Sequence, residues 1–114
     1  VSLGVGMEKK LKVYIAGPMR GIEDQNKKAF FDAESYLVDQ KIWDIFNPSR
    51  IDNDERWNID WLCSPEGLKV VMARDLEAVC QSEVVYMLTG WEKSEGARIE
   101  HSLATMLGLC ILYQ

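Results

Sequence analysis

The sequence predicts an α/β fold: a single-domain, three-layer sandwich around an open parallel sheet of four or five strands, in an order of about 2-1-3-4. Three observations carry this expectation. Short β-branched and aromatic runs alternate with segments of helical periodicity in the pattern β-α-β-α-β-α-β. The run Val84-Val85-Tyr86-Met87-Leu88 is apolar throughout, as suits a parallel strand covered on both faces. A chain of 114 residues leaves room for one domain.

The first strand is Leu11-Lys12-Val13-Tyr14-Ile15-Ala16, ended by the turn signal Gly17-Pro18. Ala29, Phe30, Ala33, Tyr36 and Leu37 then recur at helical spacing and predict an amphipathic helix over 26–40. Trp43-Asp44-Ile45-Phe46 is the second strand, stopped by Asn47-Pro48. No period holds over 49–65. There Asp52-Asn53-Asp54 is turn-like, and Arg56-Trp57-Asn58-Ile59-Asp60-Trp61 has room for a single helical turn.

Leu68, Val71, Met72, Leu76 and Val79 mark a second long helix ending near Cys80. The apolar run 84–88 is the third strand, 89–95 is a loop, and a third long helix covers 96–107 with Gly108 as its stop. Cys110-Ile111-Leu112-Tyr113 is the last strand. Met7 followed by Glu8-Lys9-Lys10 reads as a natural start, so the domain is expected over 7–114 and residues 1–6 as a leader outside the fold. Right-handed crossovers then give a Rossmann- or flavodoxin-like sheet with helices on both faces. Ligands of such sheets sit beyond the carboxyl ends of the strands, here the loops at Gly17 and Thr89.

Composition narrows the function classes. An apolar fraction of 47% and a charged fraction of 27% are ordinary for a soluble globular protein. The net charge of −5 argues against a nucleic-acid polymer as partner, since Lys9-Lys10 and Lys27-Lys28 are pairs and not a basic stripe. A single nucleotide needs only one or two cations and stays open as a ligand. Cys63, Cys80 and Cys110 are far apart and there is one histidine, so neither a metal site nor a cofactor is expected. The cysteines read as buried or reduced thiols of a cytoplasmic protein. No apolar run approaches the roughly 18 residues of a membrane span.

Two loops hold the residues with chemistry. In Gly17-Pro18-Met19-Arg20-Gly21 the glycines allow close approach of backbone to a ligand, and the Arg20 guanidinium can fork onto phosphate oxygens. A plain turn with a solvated arginine fits the same spacing. In the second loop Ser94 precedes the third helix, whose first N–H groups and dipole favour an anion; an ordinary N-cap serine is the plain alternative. Glu100 lies about one turn inside that helix, where the dipole is expected to hold it ionised. An ionised carboxylate suits nucleophilic attack at an anomeric carbon, while a surface glutamate beside Arg98 is the bland reading.

Asp75 on the preceding helix can divide the labour with Glu100, one attacking and the other handling the leaving group; a surface aspartate beside Arg74 is its alternative. His101 reads as a packing residue. Trp57, Trp61 and Trp91 can stack on a base, Trp91 alone from a site loop, and Trp43 reads as core.

The blocks Tyr14-Ile15-Ala16-Gly17-Pro18-Met19-Arg20-Gly21, Phe46-Asn47-Pro48, Arg74-Asp75-Leu76 and Gly90-Trp91-Glu92-Lys93-Ser94-Glu95-Gly96-Ala97-Arg98-Ile99-Glu100 resemble the nucleoside 2-deoxyribosyltransferase-like superfamily. The resemblance runs from about Lys12 to Tyr113 and points to the DUF4406-type branch of small bacterial and phage proteins. It implies that Glu100 is the nucleophile, that Asp75 positions or protonates the base, and that Tyr14 contacts the site beside the nucleophile. Transferases of the superfamily tend to carry an acidic residue where this chain has Ser94. The related 2′-deoxynucleoside 5′-phosphate N-hydrolases have serine there, and their phosphate loop is similar to Met19-Arg20-Gly21.

The resemblance therefore implies cleavage or transfer of the N-glycosidic bond of a (deoxy)nucleoside 5′-monophosphate. Gly17, Pro18, Met19, Arg20, Gly21, Trp91, Ser94 and Gly96 are expected around the substrate. It also implies a homodimer or larger homo-oligomer. A non-catalytic nucleotide-binding module or phage accessory protein on the same fold is the alternative, and cleavage of a dinucleotide such as NAD is a third.

Overall fold

The structure, a computed structural model, describes residues 9–54 and 58–114. The expected leader over 1–6 and the possible base-stacking Trp57 lie outside the described residues.

Four strands form one sheet, β1 (Leu11–Ala16), β2 (Trp43–Phe46), β3 (Val84–Met87) and β4 (Cys110–Tyr113), all parallel and in the order β2-β1-β3-β4. The predicted order holds, with four strands. In register Tyr14 stands between Phe46 of β2 and Val85 of β3.

Among the described residues five α-helices connect or cover the strands: α1 (Lys27–Gln40), α2 (Pro48–Asp52), α3 (Ile59–Leu62), α4 (Pro65–Gln81) and α5 (Glu95–Met106). The alternation of side chains along the strands sorts the core into two sides. Val13, Ile15, Val84 and Tyr86 point to α1 and meet Phe30, Ala33 and Leu37. Tyr14, Ala16, Val85 and Met87 point the other way and meet Ala78 and Val79 of α4 and Ala97 and Ala104 of α5. Trp43 packs against the first cluster, partly buried, and its indole N–H donates to Gln40 at 2.6 Å.

The stretch 49–65, expected to be irregular, holds two short helices fixed by local caps. The side-chain oxygen of Asn47 accepts from the Ser49 N–H at 2.9 Å with Pro48 at the first helical position, and that of Asn58 accepts from the Trp61 N–H at 3.1 Å. The helical turn thus covers Ile59–Leu62. α4 begins at Pro65, earlier than the apolar period suggests, because Ser64 caps it through the Gly67 N–H. At the far end of α5, Gly108 takes φ +71°, the left-handed stop its position predicts.

All three cysteines are free and exposed. Of the two expected alternatives, buried or reduced, burial is corrected and the free thiol holds for each: Cys80 lies on the outward face of α4, Cys110 opens the edge strand β4, and Cys63 follows α3. Among the described residues no helix is long and apolar enough to cross a membrane.

Candidate functional site

Both predicted carboxylates occupy core positions of their helices. On α5 the buried stripe is Ala97, Glu100 and Ala104; on α4 it includes Asp75, Ala78 and Val79. The alanines let both helices approach the sheet closely, and each stripe carries its carboxylate to the face from which Tyr14 projects. Glu100 is 6% exposed, Asp75 5% and Tyr14 fully buried. A buried phenol needs a partner, and the Tyr14 hydroxyl donates to Oε2 of Glu100. The Tyr14 ring stacks on Phe46, with centroids 5.4 Å apart.

Above these groups, at the carboxyl ends of the strands, opens a cavity of about 590 Å³. That volume suits a small molecule. Tyr14, Asp75 and Glu100 line it, and so do Gly17, Met19, Arg20, Gly21, Ser94 and Gly96. The apolar part of the wall comes from α3, α4 and α5 through Leu62, Val71, Met72 and Ile99, among others. Among the described residues no group of three or more His, Cys, Asp or Glu side chains stands where it could hold a metal ion.

The family profile described as domain of unknown function (DUF4406) matches residues 11–113, which include every element of the sheet and every lining residue of the cavity. The chain belongs to the DUF4406 family. Among curated proteins no match to the chain is found.

Two expected binding residues stand apart from the cavity of this DUF4406 domain. Pro18 is buried beneath the first loop, where its carbonyl accepts from the Asn26 side chain at 2.8 Å. Trp91 lies against His101, ring on ring at 4.2 Å, and the His101 Nε2 is 2.8 Å from the Tyr113 hydroxyl. The helical step separates these rings from Glu100, so His101 packs, as expected, and takes Trp91 with it. Trp61, another base-stacking candidate, is 42% exposed and does not line the cavity.

Gly17 has a reason of its own. A Cβ built there would fall 2.7 Å from the Leu88 Cβ, so the first turn needs glycine to pack on the end of β3. Gly21 has open space but takes φ +79°. Both glycines serve the backbone of the loop, which presents Arg20 at the cavity rim with an Nη2 contact to the Cys63 carbonyl at 3.4 Å. Ser94 is the N-cap of α5, accepting from the Ala97 N–H at 3.2 Å. It therefore fills its plain role and faces the cavity at once, with its own O–H left to donate. Lys93, which the sequence reading passed over, adds a second cation to this end of the wall.

The electrostatics correct one expectation. Glu100 is the sixth residue of α5, beyond the first turn in which the helix dipole acts. Burial instead pushes its carboxyl up from 4.5 to about 8; the Tyr14 hydrogen bond opposes this, the charge of Asp75 adds to it, and Arg74 weakly offsets it. Asp75 is raised from 3.8 to about 6, again mainly by burial and against the pull of Arg74. Tyr14 is held well above its ordinary value by burial and the two carboxylates. Burial thus favours the protonated form of both carboxyls, and of the two Glu100 holds its proton the more tightly.

In the sequence Asp52 reads only as part of a turn, and Arg74 only as a neighbour of Asp75. The Arg74 guanidinium reaches Asp52 Oδ1 through Nη1 at 2.8 Å, and Asp75 Oδ1 through Nε and Nη2 at 2.8 and 2.7 Å. The signal for the carboxylates was available: Glu100 falls in register with Ala97 and Ala104, and a charge at a core position demands a partner.

Proposed function

We propose that this DUF4406 domain belongs to the nucleoside 2-deoxyribosyltransferase-like superfamily and cleaves, or transfers across, the N-glycosidic bond of a (deoxy)nucleoside 5′-monophosphate. The observation that carries the reading is the convergence of Glu100, Tyr14 and Asp75 on one cavity whose rim bears Arg20, Lys93, Ser94 and the start of α5. A phosphate at that rim meets two cations, a hydroxyl and free backbone N–H groups. The sugar then lies over Glu100 and the base against Asp75 and the apolar wall.

Glu100, once ionised, attacks C1′. The C1′–N bond breaks, its electron pair leaves with the base, and a glycosyl ester of Glu100 forms. Water or a second base then attacks C1′ and frees the carboxylate. Tyr14 orients Glu100 and stabilises its charged form, since its hydroxyl donates to the attacking group. Asp75 orients the base or gives it a proton as it leaves.

The test is chromatography of a mixed nucleoside and nucleotide panel, with and without an added acceptor base. Free base from 5′-monophosphates supports the reading; no base from any substrate rejects it.

One observation favours a second reading. Glu100 is buried, and burial pushes its carboxyl toward the protonated form, which is a weak nucleophile. A nucleotide-binding module without catalysis fits that state. It predicts saturable nucleotide binding, weakened by Arg20→Ala, with no turnover.

A further inference from the structure

Arg74 and Asp75 are neighbours on α4, and neighbours on a helix project about 100° apart. They meet here because the Arg74 side chain bends back along the helix. What holds it in that pose is Asp52, the last residue of α2, which takes Nη1 at 2.8 Å. Nε thereby donates to Oδ1 of Asp75 at 2.8 Å, and Nη2 lies 2.7 Å from the same oxygen as an ion-pair contact without hydrogen-bond geometry. The other oxygen, Oδ2, receives nothing from Arg74. Asp75 lines the cavity, whereas neither Arg74 nor Asp52 does. The guanidinium stands behind the carboxylate, out of reach of a ligand, and closes a chain that runs Asp52, Arg74, Asp75, cavity.

This arrangement is unusual for a pair meant only to staple two helices. Arg74 and Asp52 are both largely buried, at 19% and 11% side-chain exposure, and a buried ion pair is weak as a stabilising device. Its best use is to fix a geometry or a charge. The charged groups facing Asp75 are Arg74 from its own helix, Asp52 from α2, and Glu100 from α5, with the Tyr14 hydroxyl of β1 beneath. Arg20 and Lys93 are the cations on the same cavity wall. Of these only Arg74 touches Asp75 as a counter-charge among the described residues.

We propose that Arg74, locked by Asp52, is a positioning residue that fixes Oδ1 of Asp75 and presents Oδ2 to the cavity as a charged acceptor for an N–H donor on the ligand's base. The proposal rests on the glycosidase reading above and deepens it. Asp75 then orients the base through a hydrogen bond and does not serve as the acid that protonates it. The preferred ligands are bases that offer an N–H edge, such as adenine, cytosine or guanine, over those that present only acceptors there. Arg74 pulls Asp75 toward its charged form, against burial, which is the direction this role requires.

The experiment uses the full chain as wild type, Arg74→Lys, Arg74→Met and Asp52→Asn. The Asp75 carboxyl is titrated by carbon NMR, and kcat/KM is measured for base release from adenine, cytosine and guanine 5′-monophosphates. Arg74→Met is expected to move the Asp75 titration up by about one unit or more, as loss of a contacting counter-charge does, and to lower kcat/KM at pH 7 about tenfold or more. Arg74→Lys keeps the charge without the fork and falls between. Asp52→Asn frees Arg74 from its hold, so Asp75 loses part of its counter-charge, titrates higher and loses kcat/KM, in the direction of Arg74→Met but by less. A rise in the Asp75 titration that tracks the fall in kcat/KM across the three variants separates positioning from a purely structural role.

An unchanged Asp75 titration in folded Arg74→Met, or full kcat/KM in that variant, overturns the proposal. Should Arg74→Met not fold, Arg74→Lys and Asp52→Asn decide by the same two readouts. If wild type releases no base at all, the glycosidase reading fails, while the Asp75 titrations still decide whether Arg74 holds that carboxylate.

Discussion

The Tyr14 hydroxyl donates a hydrogen bond to Oε2 of Glu100, linking the first strand of the sheet to its last helix at the buried floor of the cavity. The bond works against burial, which with the charge of Asp75 drives the Glu100 proton affinity upward. Strand, helix and cavity are thus joined through one protonation equilibrium, and most of the chemistry proposed for this domain depends on it.

Replacing Tyr14 with Phe removes the donor and keeps the ring stacked on Phe46. A hydrogen bond to a charged group contributes roughly 1.5–3 kcal/mol, so the Glu100 carboxyl should rise by about one unit or more. The rate of base release against pH, expected in wild type to climb with an apparent value near 8, should climb that much later in Tyr14→Phe. An unmoved profile would mean that the bond does not govern the reacting form.

Arg20→Ala should weaken binding of a 5′-monophosphate about 10- to 100-fold, the loss of one charge-assisted contact. Binding of the matching nucleoside, which has no phosphate for the rim, should change little. Calorimetry on both ligands makes the comparison. An equal loss for both would remove the phosphate from the Arg20 end of the cavity.

Gly17→Ala tests whether the first loop's glycine serves packing. Its Cβ would lie 2.7 Å from that of Leu88, and overpacking of this kind costs about 1–3 kcal/mol. Thermal melts should show the loss. In a Leu88→Gly background, which removes that Cβ and everything beyond it, the same substitution should cost clearly less, a coupling that a double-mutant cycle reads directly. Additive effects would place the need for glycine elsewhere.

The raised carboxyls also shape stability. Glu100 moves from 4.5 unfolded to about 8 folded, and Asp75 from 3.8 to about 6. The folded state therefore binds more protons than the unfolded state between these values, and stability falls as pH rises through that window. Below about pH 4 the contribution of Glu100 is fully present, and above 8 it is lost. Glu100→Gln, which cannot ionise, should match wild type in Tm near pH 4 and exceed it by several degrees at pH 8. A gap that is constant with pH would contradict the assignment.

The sheet was legible because its signals are local and repeated: the apolar run of β3, the turn at Gly17-Pro18 and the helical period of α1 each stand alone. The short helix α2 was not, since five residues are too few to show a period and only its cap at Asn47 announces it; α3 shows in the sequence as a single helical turn, whose start the cap at Asn58 sets. Within the site, Glu100 and Asp75 could be placed on the right helices, but their ionisation could not. It depends on burial supplied by β1 and the facing helix, and on Arg74, whose pose is set by Asp52 from a different element. Trp91 illustrates the reverse case: a loop position suggested a ligand contact, and the neighbouring helix offered His101 as a closer stacking partner.

The most direct measurement is release of free base from a panel of nucleosides and 5′-monophosphates by wild type and Glu100→Ala, read by chromatography alongside nucleotide binding to both. A glycosidase acting through Glu100 releases base from monophosphates as wild type, loses roughly 10³-fold or more in Glu100→Ala, and keeps its nucleotide binding in that variant. Base release by Glu100→Ala at the wild-type rate, or none by wild type from any member of the panel, would contradict that reading.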